Sequence, residues 1–74
     1  MNAAARDELV RRINREIHPR GEMLLSNEPL FSMGLVKAAY SLLRWDGERM
    51  AVSSTWNEDQ LKDLEHAVVA CRPA

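Results

Sequence analysis

The side chains able to do chemistry in this 74-residue chain are few and widely spaced. The soft metal ligands are His18, His66 and Cys71, whereas a structural zinc site needs four ligands that converge. His66 and Cys71 stand five positions apart, which places them off a common helical face, and no zinc-type spacing occurs. Neither a metal nor a cofactor is expected. Nucleophilic catalysis needs a thiol or hydroxyl beside a base and an orienting group. Cys71 follows Val68, Val69 and Ala70 and reads as a packed structural thiol, since free cysteine behaves as a small hydrophobe. The adjacent acids Glu58 and Asp59 imitate a paired-carboxylate site, but acids in a first helical turn are favoured by the helix dipole alone. Gly21, Gly34 and Gly47 are isolated, and none precedes a lysine in the frame of a phosphate-cradling loop. A chain this short has little room for a pocket of the ~300 Å³ or more that substrates occupy. The expectation is a protein that is not an enzyme.

Charge offers a second kind of chemistry. Five arginines (Arg6, Arg11, Arg12, Arg15, Arg20) face three acids over 1–20, while Glu58, Asp59, Asp63 and Glu65 outnumber Lys62 and Arg72 over 55–74. The net charge of −1 hides this polarity. Opposed ends can dock head to tail on a second copy or present one charged face to a partner, and the plain alternative is two solvated helix faces. An arginine stripe also suits phosphates, but Asp7, Glu8 and Glu16 interrupt it and no aromatic residues are interleaved, so direct nucleic-acid binding is the runner-up.

These residues must be carried by elements small enough for one domain spanning 1–74. A domain of this size buries about 60% of its unfolded surface, and its core supplies roughly 3–5 kcal/mol. An apolar share of 46% and a charged share of 28% are those of a globular chain. Leu9, Val10, Ile13 and Ile17 recur at helical spacing, which predicts a helix over 3–17 that stops at His18 before Pro19 and Gly21. Leu61, Leu64, Val68 and Cys71 make the stripe of a second helix over 57–71. Thr55 with Glu58 fits a capping box for it, and Asn57 is a competing cap.

The middle admits two readings. Asp46-Gly47 between apolar flanks signals a reversal, which makes 39–45 and 48–53 a hairpin with Leu43, Trp45, Met50 and Val52 on one face above the core. Helical periodicity instead supports a helix over 28–44, capped by Asn27, with Pro29 in its first turn and Gly47 at its end. That reading pairs 50–52 with 23–25. Both give an α+β domain in which the terminal helices flank a very small antiparallel sheet. An all-α three-helix bundle is the alternative.

What is left after this elimination is contact. Trp45 and Trp56 bracket the second arm of the reversal, and Met23, Met33 and Met50 are adaptable apolar side chains. One tryptophan is expected in the core and the other at an interface, against the alternative that both cover the sheet edge. The sequence therefore implies a non-enzymatic regulator or adaptor that docks on a larger protein. Its contact residues would be Arg11, Arg12, Arg15, Arg20, Trp45, Trp56 and Met50. The format is similar to that of small bacterial or phage regulators that act on a larger machine such as transcription apparatus, although no motif identifies one. A lone cysteine, no secretory pattern at the amino terminus and no run of the ~20 apolar residues that span a bilayer predict a cytoplasmic protein without membrane contact.

Overall fold

The helical spacing over 3–17 becomes helix α1 (Ala3–Ile17) in the computed structural model, which describes residues 2–72. Asn2 caps it, its side-chain oxygen accepting the Ala5 N–H at 2.7 Å. Pro19 forces the chain into a 3₁₀ turn (His18–Arg20), and Gly21, at φ 75° in the left-handed region, releases it into strand β1 (Glu22–Ser26).

Asn27 then leads into a short helix α2 (Glu28–Ser32) with Pro29 in its first turn. This much of the long helix expected over 28–44 forms. It ends at Met33, and Gly34 turns the chain away at φ 74°. Residues Tyr40–Trp45 are strand β2 instead, followed by β3 (Met50–Trp56). Asp-Gly does reverse the chain, through a loop over 46–49 that is longer than the two residues expected. The Asp46 side chain accepts the N–H groups of Glu48 (2.9 Å) and Arg49 (3.0 Å), and Gly47 takes φ 104°.

The sheet is an antiparallel meander in the order β1-β2-β3. Leu24 pairs with Leu42, and Leu42 with Ser54, while the next pair is Leu43 with Val52, so Ser53 is the extra residue of a bulge in β3. The expected pairing of 50–52 with 23–25 is overturned, because β2 lies between them. The three strands equally overturn the three-helix bundle. Strand pairing prevails over helical spacing here because Tyr40 and Leu42 reach the core from β2, where they are 5% and 7% exposed.

The last helix starts at Asn57, whose backbone N–H donates to the Gln60 side chain at 2.8 Å, and runs through a 3₁₀ turn (Glu58–Gln60) into α3 (Leu61–Ala70). The competing cap wins, since Thr55 belongs to β3. Cys71, expected inside, is exposed: α3 has ended, and its backbone no longer continues the apolar stripe.

Both α1 and α3 lie on one face of the sheet. Leu9, Ile13 and Ile17 meet Leu61, Leu64 and Val68 over Leu24, Tyr40 and Leu42, with Trp56 packed against the cluster. Ile13, Ile17 and Leu61 are fully buried, each contributing about 1.5–3 kcal/mol of transfer free energy. Asn14 ties α1 to β1: its amide oxygen accepts the Leu24 N–H at 2.8 Å, and its NH₂ donates to the Leu24 carbonyl at 3.2 Å. A side chain thus satisfies backbone groups that an edge strand leaves open. The molecule is a flat two-layer body of 39 × 30 × 15 Å, and no helix among the described residues is long and apolar enough to cross a membrane.

Candidate interaction surface

Strand alternation sends every second side chain away from the helices. The register places Met23, Leu43 and Val52 in one row across the sheet, with Leu25 at one end and the pair Trp45–Met50 at the other. No element covers this row. Leu25 is 45% exposed, Trp45 52%, Met50 36% and Val52 61%. A sheet face left to water usually carries polar side chains, so this one is anomalous.

Leu43, Trp45, Met50 and Val52 do share a face, as the hairpin reading has it, but the expectation that they lie above the core is corrected. The helices take the opposite face, where Leu24, Tyr40 and Leu42 join the stripes of α1 and α3 in one core. The two tryptophans separate accordingly. Trp56 points inward and donates its indole N–H to Ser54 Oγ at 2.8 Å. Trp45 stands on the open face, with its backbone N–H held by the Gly21 carbonyl at 2.9 Å.

The arginines are not gathered with them. Because α1 lies on the covered side, Arg11, Arg12, Arg15 and Arg20 belong to the helical layer and Trp45 with Met50 to the opposite face. Arg12 makes a two-pronged bond to Glu65 of α3 (2.8 and 3.3 Å). Arg20 donates to Glu16 (3.0 Å) and to the Val68 carbonyl (2.9 Å), and Arg72 clasps Glu16 at 2.5 and 3.0 Å. The opposed charges of the two ends therefore pair within the chain. Arg12 and Arg72 hold the Glu65 and Glu16 carboxyls below the usual carboxylate range. Arg11 bonds to Glu8 of its own helix at 2.6 Å, and Arg15 has no acidic partner among the described residues.

A groove absent from the sequence reading opens where α2 stands off the start of α3. It is open to solvent, with a volume of about 810 Å³, and is lined by Arg6, Phe31, Tyr40, Asn57 and Lys62 with the acids Glu28, Glu58 and Asp59. The expectation of too little room for a pocket is corrected: the space lies between elements at the sheet's end, outside the small core. Burial of Tyr40 raises its hydroxyl above the ordinary value. Among the described residues, no group of three histidine, cysteine or acidic side chains is placed to hold a metal ion.

Half-buried Met23 and exposed Leu25 are legible as apolar but not as outward-facing, since 23–25 is an unbroken apolar run that does not say which side faces out. Glu58 and Asp59 stand out in the sequence as adjacent acids, but nothing there joins them to Glu28, Phe31 and Tyr40, because the residues that line the groove come from four separate stretches of chain. No family model matches this chain, and comparison with curated proteins and with solved structures finds no match.

Proposed function

We propose that the protein is a non-enzymatic regulator or adaptor that docks on a larger protein partner through the open face of its sheet. One observation carries this reading: a contiguous apolar row, Leu25, Met23, Leu43, Val52, Met50 and Trp45, left uncovered on a domain whose other face is fully packed. Exposed patches of this kind mark interaction surfaces. Trp45 is the anchor, because a large, stiff aromatic side chain concentrates binding energy.

Three strands about 4.8 Å apart and roughly 20 Å long present a face of about 300 Å². A standard interface takes about 800 Å² from each side, so the partner reaches past the sheet onto the hairpin tip at 46–49. Arg11 and Arg15 on the far side act by steering, a long-range effect that does not need contact. Occlusion or repositioning of the partner, as for a regulator of transcription apparatus in the cytoplasm, is the mechanism this geometry suits.

Affinity capture from source-cell lysate, with and without nuclease, tests it. The native chain recovers a protein that W45S does not, and nuclease makes no difference. Equal recovery by W45S rejects the face. Changing Arg11 and Arg15 to glutamate slows capture without abolishing it, and Arg12 is left intact because it holds α3. A mass that rises with concentration and falls back in W45S would make a second copy the occupant instead.

A further inference from the structure

The groove between α2 and the start of α3 stands apart from the sheet's open face and shares none of its apolar row. Its floor is Tyr40, which is 5% exposed. The hydroxyl has no hydrogen-bond partner among the described residues, yet no fully enclosed side-chain polar atom is left unpaired, so this oxygen opens into the groove. A hydroxyl that opens into the groove takes its hydrogen bond from water or from a bound ligand.

The walls set the sign of that ligand. Glu28 arrives from α2, Glu58 and Asp59 from the turn before α3, and none of the three is in an ion pair among the described residues. Dipole preference accounts for acids at 58 and 59 in a first turn. Glu28, in the first turn of α2, has the same local reason to be acidic, and the fold brings all three acids over one tyrosine. Of the two cations in the lining, Arg6 bonds to Asp7 at 3.4 Å while its charge also faces Tyr40 and Glu28, and Lys62 is the other, so three carboxylates stand against two cations. An anionic ligand is opposed. The carboxylates are also too dispersed to chelate a compact metal ion, whereas a cation on an apolar stem spans them and lays that stem on Phe31, which is 43% exposed.

We propose that this groove binds a basic peptide segment, seating a lysine or arginine side chain between Phe31 and Tyr40 with its charge against Glu28, Glu58 and Asp59. The cation donates to the Tyr40 oxygen and to the carboxylates. A volume of about 810 Å³ exceeds one side chain and leaves space for the neighbouring peptide backbone.

The test is fluorescence anisotropy of the full chain with a labelled peptide of alternating leucine and arginine, beside the same peptide with glutamine for arginine and beside spermidine as a free cation. The arginine peptide binds and the glutamine peptide does not. E58Q/D59N weakens binding about tenfold, high salt weakens it further, and W45S leaves it unchanged. Y40F, which keeps the ring, weakens it about threefold at an unaltered thermal midpoint. Should Y40F fail to fold, the pair at 58 and 59, which lies outside the core, decides. Amide shifts in NMR fall on Phe31, Tyr40 and Asn57. Equal binding of the glutamine peptide, unchanged binding by E58Q/D59N, displacement by spermidine at the same concentration as peptide, or shifts confined to Trp45 and Val52 each overturn the proposal.

Discussion

The two faces of this sheet are built from the same three strands and from similar residues, yet one is buried and the other is largely open. Leu24 and Leu42 are nearly inaccessible, while their immediate neighbours Leu25 and Leu43 face the other way, Leu25 being 45% exposed. Apolar character therefore does not determine burial in this molecule. What does is the supply of cover: two helices of fifteen and ten residues shield one side of a three-stranded sheet and leave none for the other. A domain this small stabilises one core, and its remaining apolar surface is free for contact.

The largest effect expected from breaking this asymmetry lies under the helices. I13A or L61A, each emptying a fully buried position, costs about 2–5 kcal/mol. A core of this size supplies roughly 3–5 kcal/mol in all, so circular dichroism at 25 °C (the temperature of these energies) reads either variant as largely unfolded. On the open face the outcome inverts. W45S changes stability by no more than about 0.5 kcal/mol and lowers partner capture by about 30-fold, the loss of an anchor worth about 2 kcal/mol. A W45S chain that melts like I13A would erase the distinction.

The edges sharpen the same contrast. β1 is an edge strand closed by Asn14, and N14A, which strands both Leu24 backbone groups, costs about 1–3 kcal/mol in denaturant unfolding. Gly21 comes next. A Cβ there meets Trp45 Cβ at an ordinary 3.7 Å, so G21A is opposed by its φ of +75° and costs about 1 kcal/mol in thermal unfolding.

Acid gives the smallest effect. Glu16 and Glu65 titrate below their unfolded values because Arg72 and Arg12 bond to them. The stability they add is thus present above the unfolded carboxylate pKa and is lost as pH falls through the lower folded values. Both groups are only half-buried, so solvent screens them, the loss is modest and salt reduces it. Thermal melts of E65Q from neutral pH downwards should show a shallower acid decline than the native chain.

How much of this was legible can be judged residue by residue. Leu9, Ile13 and Ile17 announced α1, and Leu61, Leu64 and Val68 announced α3, because helical spacing is a local property of contiguous residues. Asp46-Gly47 announced the reversal for the same reason. Residues 28–44 misled: their helical spacing is genuine, but only Glu28–Ser32 obeys it, since pairing of β2 with both neighbours buries Tyr40 and Leu42. The arginines at 12 and 20 looked available for a partner because Glu65 and Val68, which take them up, lie about fifty positions away. The groove was invisible, as its acids and its tyrosine meet only when α2 and α3 are brought to the same end of the sheet.

By itself the sequence determined two amphipathic helices, a reversal between them and the poverty of reactive groups, all of which are read over a few consecutive residues through dihedral preference and side-chain spacing. Tertiary structure alone decided which face of the sheet the helices cover, which tryptophan meets water, and which charges cancel within the chain. Those outcomes depend on contacts between distant segments competing for a small amount of cover, and an apolar residue carries no mark of whether it wins.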